Sequence, residues 1–309
     1  MILLILMKLM KLEGAISMKK TFLTLSVSAV LLLSACNDKD NVKIEPKAAT
    51  QTQVATEQKT EFPALNVKTV DIFNKGETIE IPSNKGEKEQ ASLFTYVNLA
   101  ETQVAWLNQL LLNTQYKQGI NYLKHLNQIN ETQESQPEVL PTILSKANLT
   151  QLFTLIHQRS LEVAKKNGNR GMEFAVQTTY LGQKNNWVGF HNTIYSYEGG
   201  AHGIEISEYL NIDVDKQSLV TLDQLIDKKD QPAILNALWK VYDDLSKEAN
   251  FNTNYIEKTD FYISPDFYFD QDGVNFVYQP YALFPYAFGE ITLTLPWEQQ
   301  EAELIKFEW

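Results

Sequence analysis

The chain has 309 residues, 44% of them hydrophobic, and a formal charge of −11 at pH 7. Such acidity argues against nucleic acid and anionic lipid surfaces as partners, and it favours a basic protein. Its single cysteine, Cys36, excludes a disulfide within the chain and any thiolate metal cluster.

The first readable segment begins at Met18. Lys19 and Lys20 form a basic start, and Phe22 to Leu33 is an apolar run too short to span a bilayer comfortably. Leu33-Ser34-Ala35-Cys36 closes it with small residues and the cysteine. This is the three-part layout of a secretory signal. Its ending resembles the lipobox of bacterial lipoproteins, which implies cleavage before Cys36 and lipid on its thiol. Residues 1–35 are therefore expected to be a signal peptide, with Met18 as the true start. A longer basic start region is the alternative for residues 1–17. Removing residues 1–35 takes away four lysines and one glutamate, so −11 becomes −14. Asn37, where an aspartate would favour inner-membrane retention, points to the outer membrane. The expected location is the cell envelope, on the periplasmic side, with lipid on Cys36 as the membrane contact.

Residues 36–61 are polar and rich in Lys, Thr, Gln, Ala and Glu, a composition that cannot bury enough surface to order itself. They read as a tether of about 25 residues with a mean reach of roughly 25–30 Å. Val67 to Ile81 reads as strand, turn, strand, with Asn74-Lys75-Gly76 turning. Val97, Ala100, Val104, Leu107 and Leu111 fall on one helical stripe. Asn130 to Pro141 is a polar loop. A second helix follows, capped by Asn148, with Leu149, Leu152, Phe153, Ile156 and Val163 on its buried side and Gly168 at its end.

Beyond Gly171 the period changes to two. Met172 to Tyr180 and Trp187 to Tyr197 predict an antiparallel pair joined by Gly182 to Asn186, and Ile204 to Val214 a third strand with Asp215-Lys216-Gln217 turning after it. Thr221-Leu222-Asp223-Gln224 matches a capping box at a helix start. Ile234, Ala237, Leu238, Val241 and Leu245 stripe a longer helix. Asp272-Gly273 between Phe267–Phe269 and Val274–Tyr278 is a hairpin signal, and Ile291 to Leu295 a last strand. The fold class is α+β, with helices packed on a mostly antiparallel sheet. The domain division expected is 62–168 for an N-terminal α+β domain and 169–309 for a C-terminal one.

Two segments depart from ordinary scaffold. Tyr195-Ser196-Tyr197-Glu198-Gly199-Gly200-Ala201-His202-Gly203 has three glycines in its last five residues, which permit positive φ and leave backbone amides uncovered. Tyr278 to Gly289 holds Pro280, Tyr281, Pro285 and Tyr286. The prolines stiffen it, and rigid tyrosines give contact area at low entropic cost. Phe284 is expected inside, Tyr281 and Tyr286 partly outside. The ligand-binding candidates are thus Tyr197, Gly199, Gly200, His202, Pro280, Tyr281, Pro285 and Tyr286. The plainer reading is a tight glycine connection and rings that cap the core.

In this order Tyr197-x-Gly-Gly-Ala-His202, Tyr209-Leu-Asn211-Ile-Asp213, Leu219 to Leu225, Asp260-Phe-Tyr262-Ile, Pro280-Tyr281 and Pro285-Tyr286-Ala287-x-Gly289 resemble the C-terminal domain of the RsiV family, across roughly residues 170–300. The N-terminal half resembles, more loosely, the companion domain of PdaC-type peptidoglycan deacetylases. RsiV-type proteins are membrane-spanning anti-sigma factors whose outer domain binds lysozyme. No cytoplasmic sigma-binding part is present in this sequence, and the expected lipid anchor replaces the spanning helix. What the resemblance implies is a non-catalytic surface for a lysozyme-like muramidase or peptidoglycan.

Two alternatives stand beside it: a structural partner of an envelope complex, and a glycan-processing hydrolase or deacetylase, which rests on four histidines, His125, His157, His191 and His202. His125 and His157 are expected on helix surfaces or borders and His191 as a hydrogen-bonded core residue. His202 with Glu198 or Asp213 would make an acid–base or metal pair. Neither a His-x-x-x-His, a His-Glu-x-x-His nor a nucleophile elbow occurs, so no catalytic residue, metal or cofactor is assigned. Asp270-Gln271-Asp272-Gly273 lacks the later oxygen positions of a calcium loop and reads as a turn.

Overall fold

A computed structural model describes residues 62–82, 88–130, 143–249 and 255–307. The expected signal peptide, Cys36, the tether and nearly all of the Asn130–Pro141 loop lie outside the described residues.

Nine strands and four α-helices are present among the described residues. Strands β1 (Lys68–Pro82), β2 (Lys88–Glu101), β3 (Gly171–Lys184), β4 (Trp187–Tyr197), β5 (Ile204–Asp213) and β6 (Ser218–Leu219) form one sheet in that order. Every pairing is antiparallel except β2 with β3. A parallel pair needs a long crossover, and helices α1 (Ala105–Asn130) and α2 (Lys146–Asn167) supply it. A second antiparallel sheet, β7 (Phe267–Phe269), β8 (Gly273–Tyr278) and β9 (Ile291–Pro296), packs with α4 (Gln231–Glu248). Helix α3 (Leu222–Leu225) is a single turn. The mixed α+β class is as expected from the sequence.

Several local expectations are corrected. Val67–Ile81 does not turn at Asn74-Lys75-Gly76: β1 runs unbroken, and those residues pair with Tyr96, Thr95 and Phe94 of β2. Gly76 needs no positive φ there, so a turn-like triplet is held straight by its neighbour strand. Val97 and Ala100 belong to β2, not to a helix. Val97, Asn98, Leu99 and Ala100 are all buried, and a strand end covered on both sides loses its alternation and imitates helical spacing. The helix begins only after Thr102, whose hydroxyl accepts from Val104 N at 3.0 Å and whose backbone N–H donates to Asn108 Oδ1 at 2.8 Å.

In α2 the N-cap is Ser145, not Asn148. Asn148 sits three residues in and closes a reciprocal box, its N–H donating to Ser145 Oγ at 3.3 Å and its Oδ1 accepting from Ser145 N at 3.0 Å. Gly168 ends the helix in the left-handed conformation, as its position predicts. The β3–β4 connection is tighter than Gly182–Asn186. It is Asn185-Asn186, with Asn185 at φ 52°, and Gly182 lies within β3 at a bulge. The Thr221–Gln224 box forms, Gln224 Oε1 accepting from Thr221 N at 2.9 Å, but it caps only the short α3.

Two apolar cores result. The first lies between α1, α2 and one face of the six-stranded sheet, around Leu111, Leu126, Phe153, Phe174 and Phe190. A polar network crosses it: Gln115 Nε2 donates to Asn192 Oδ1 at 3.1 Å and to Thr178 Oγ1, and the Thr178 hydroxyl donates to Asn192 Oδ1 at 2.8 Å. Buried amides gain from such pairing, and although Gln115 Oε1 is left without a partner, the network ties α1 to the sheet. The second core joins α4 to β7–β9 through Leu238, Tyr242, Phe276, Phe284 and Leu295. The 168/169 position falls at the end of α2, just before β3 pairs with β2.

Candidate functional site

Side chains alternate along a strand, so the register fixes which residues share the sheet face that the helices leave uncovered. Phe174 and Phe190 face the helices. His191, Thr193, Tyr195 and Tyr197 of β4 therefore point the other way, beside Tyr209, Ser207 and Glu205 of β5. The glycine loop follows β4 directly, at one end of this open face.

Gly199 and Gly200 adopt φ 85° and 97°, the left-handed region that L side chains avoid. They let the chain turn back so that Tyr197 Oη donates to Gly200 O at 3.1 Å. Asn169 Nδ2 holds Glu198 O at 2.9 Å. Gly203 is required for packing: a Cβ there would stand 2.3 Å from Tyr195 Oη. The loop is a fitted structure and not merely a permissive one.

The Pro-Tyr loop, far along the chain, meets it. Tyr286 Oη donates to Gly203 O at 2.6 Å, across 83 residues of sequence. The imidazole of His202 stacks on the Tyr286 ring with centroids 3.8 Å apart and planes 14° apart, and Tyr281 lies 5.3 Å beyond. His202 Nδ1 faces Gly203 O at 3.0 Å. Just before the loop, the Gln279 side chain pairs with both backbone groups of Ser207, at 2.9 and 2.7 Å. The loop is anchored beneath by buried Leu283 and Phe284 and by Tyr242 Oη, which donates to Leu283 O at 3.2 Å. Tyr281 is 50% exposed and carries φ 72°, an unusual backbone for a side chain of its size. Phe284 inside and Tyr281 and Tyr286 partly outside is the arrangement the sequence predicts.

Of the predicted site residues, His202, Tyr281 and Tyr286 form one aromatic patch. Tyr197, Gly199 and Gly200 shape the adjoining turn. Pro280 and Pro285 set the backbone before each tyrosine, and Pro285 N-caps the short 3-10 turn Tyr286–Phe288.

The suggested acid–base pair is not assembled. Glu198 instead meets His125 Nε2 at 2.9 Å, and Asp213 holds Lys216 Nζ at 2.5 Å. Among the described residues, no group of three or more His, Cys, Asp or Glu side chains is placed to hold a metal ion. Asp270 Oδ1 accepts from the backbone N–H groups of Asp272 and Gly273, as a hairpin turn requires.

Two histidine expectations are corrected. His157 is no border residue. It is 1% exposed and bridges α2 to the sheet, with Nδ1 2.9 Å from Thr95 Oγ1 and Nε2 2.7 Å from Glu77 Oε1. Lys75 and His157 together hold the Glu77 carboxyl below the usual range. His191 is not hydrogen-bonded through Nε2, which is buried without a partner. It stacks on Tyr209 at 4.5 Å, and Tyr209 on Tyr268 at 4.9 Å. Burial lowers the His191 pKa, against the pull of Glu290 and Glu205.

This ladder was not singled out from sequence, although the period of two through 187–197 already places residues 191, 193, 195 and 197 on one face. Carboxylates border it. Burial, then Glu173, with Glu205 contributing less, raises the Tyr195 phenol. Burial, then Glu290, raises that of Tyr209. Burial lifts the Asp266 carboxyl above its normal range, with Glu208 and Glu290 adding to it and Gln279 opposing. The uncovered face thus presents rings and negative charge together.

Comparison with known proteins falls on the same region. Residues 206–298 match the family model described as "Protein of unknown function (DUF3298)", a span from within β5 to just past β9 that includes the Pro-Tyr loop. A crystal structure of a DUF3298 family member from Bacteroides fragilis NCTC 9343 is similar at 18% identity, over 80% of this chain and 96% of that one, with a TM-score of 0.53. A DUF3298 family protein from Pseudomonas aeruginosa PAO1 aligns at 15% identity over 79% and 95%, with a TM-score of 0.48. The first likeness establishes a shared fold. No curated protein matches.

Proposed function

We propose that this chain is a lipid-anchored envelope binding protein, held through Cys36, whose glycine loop and Pro-Tyr loop together contact a lysozyme-like muramidase or the peptidoglycan on which such enzymes act. In this reading residues 169–309 form an RsiV-type outer domain that binds without catalysing. One observation carries it: two motifs 83 residues apart are joined by the Tyr286–Gly203 hydrogen bond and the His202–Tyr286 stack, leaving Tyr281 exposed at the edge of the patch. A rigid aromatic projection suits insertion into a cleft. The charge of −14 left after cleavage before Cys36 suits a basic enzyme, since complementary fields raise the rate of encounter. The enzyme alternative has less support, because His202 is spent on a ring stack and a backbone carbonyl rather than on a carboxylate.

The test is retention of the full chain on immobilised lysozyme and, separately, on insoluble peptidoglycan. The expectation is capture by at least one matrix, reduced by about tenfold or more in Tyr281→Ala/Tyr286→Ala, the scale of a binding hot spot. Passage of the wild type through both matrices would refute the proposal, as would undiminished capture of the double variant.

A further inference from the structure

At the end of this sheet face opposite the glycine loop, where Tyr268 of β7 stacks on Tyr209 of β5, lies a slot of about 250 Å³ that the two loops do not line. Its floor is made of missing side chains. Gly182 pairs with Gly189 across β3 and β4, and Asn211 of β5 is the next residue over. A Cβ at Gly182 would meet nothing within 4 Å, so the space above it is open. Leu181, displaced by the bulge between Tyr180 and Gly182, is 48% exposed and leans over Gly189, where an added Cβ would lie 3.3 Å from the Leu181 Cβ. Bulges commonly re-aim a side chain beside a binding site.

Much of the remaining lining is aromatic. Trp187 stands edge-on to Phe307 and Phe269, at 4.4 and 5.2 Å, and Tyr268 joins them. The volume falls below the roughly 300–1,000 Å³ of sites for drug-sized ligands, which leaves room for one ring and not for a chain.

The polar groups of the lining decide what that ring carries. Gln183 is committed at both ends, accepting from Leu65 N at 3.1 Å and donating to Pro63 O at 3.2 Å. Lys184 is already engaged, and no carboxylate lines the slot among the described residues. A charged ligand therefore gains no ion pair there. Asn211 is 6% exposed, and its Nδ2 donates to Phe267 O, which fixes the amide and leaves Oδ1 as an acceptor. Among the described residues neither Asn211 Oδ1 nor Trp187 Nε1 has a hydrogen-bond partner, and neither atom is sealed from solvent. A hydrocarbon filling the slot would strip both of water and leave them unpaired, a costly arrangement. One acceptor and one donor match the N–H and the C=O of a neutral amide, and the rings suit a methyl group and the C–H faces of a pyranose.

We infer that this slot binds a single N-acetylated amino sugar, Asn211 Oδ1 accepting from the acetamido N–H and Trp187 Nε1 donating to its carbonyl. The inference does not rest on the reading of the two loops. Their test is loss of capture in the Tyr281 and Tyr286 double variant, whereas this site is read at Trp187 and Gly189.

N-acetylglucosamine is the probe, with glucose, acetamide and phenol as comparisons. Each is titrated into the full chain while the Gly189 amide and the indole N–H resonances of its five tryptophans are followed. The expected result is a saturable shift of the Trp187 and Gly189 signals with N-acetylglucosamine, and a response at least fivefold weaker to each comparison. Leu181→Trp, a substitution at an exposed position that closes the slot, abolishes the Gly189 shift while the other wild-type indole signals stay in place. Trp187→Phe keeps a ring, removes the donor and weakens binding at Gly189 by roughly fivefold, the scale of one neutral hydrogen bond. Unmoved Trp187 and Gly189 signals, an equal response to glucose, acetamide or phenol, or undiminished binding in either variant overturns the assignment.

Discussion

On the helix-covered face of the six-stranded sheet, Phe174 and Phe190 are almost wholly buried, with Tyr122 stacked on Phe174 at 3.8 Å. One residue further along β4, on the opposite face, His191 and Tyr195 stay half-buried beside Tyr209 and Glu205. Both faces are rich in rings. What separates them is the company the rings keep: leucine, isoleucine and paired amides on one side, carboxylates and glycine turns on the other. Aromatic content alone therefore does not mark a site, whereas half-buried rings bordered by carboxylates, beyond the reach of the helices, do.

That contrast is sharpest under truncation. Phe190→Ala opens a cavity in the first core and is expected to cost about 3–5 kcal/mol in urea unfolding. Tyr209→Ala, on the uncovered face, removes a half-buried ring in a stack and is expected to cost about 0.5–1.5 kcal/mol. Equal losses would mean that the uncovered face is a second core and not a surface.

The covered face was the legible one. Period-two alternation in 172–197 and the helical stripe of 149–163 gave β3, β4 and α2 because each has one buried side. The same rule failed where both sides were buried, at Val97–Ala100, and where pairing with a neighbour overrode local turn chemistry, at Asn74–Gly76. The candidate site was half legible. Glycine spacing and the Pro-Tyr repeat identify both loops. Neither carries any local mark of the contact between Tyr286 and Gly203, which depends on how β5 and β8 are placed. Gly203 looked like a flexible residue and is a packing requirement imposed by Tyr195, eight positions earlier. His157 looked like a helix-border residue because its partners, Thr95 and Glu77, lie on strands far back in the sequence.

A smaller effect separates loop fit from loop flexibility. Gly203→Ala places a methyl against Tyr195 Oη, and overpacking of this kind is expected to cost about 1–3 kcal/mol. Tyr195→Ala combined with it should restore most of that loss in the same unfolding assay. Failure of the second substitution to rescue would show that backbone conformation, not the tyrosine, demands glycine.

The smallest expected effect concerns protonation. Burial depresses the His191 pKa in the folded chain, so folding favours the neutral ring. Its contribution is full above the ordinary histidine value of about 6.5 and is lost as pH falls from there through the depressed folded value. His191→Phe should flatten the stability profile over that window relative to wild type. Asp266, whose pKa is raised by burial, acts in the opposite sense at lower pH. An unchanged slope in the variant would remove His191 from the account of the uncovered face.

The central claim is that two loops distant in sequence act as one contact surface, and hydrogen–deuterium exchange of the full chain with and without lysozyme addresses it directly. The prediction is coincident slowing at residues 197–203 and 281–289, with the helices α1 and α2 unaffected. Slowing confined to one of the two loops, or located on the helix side, would contradict it.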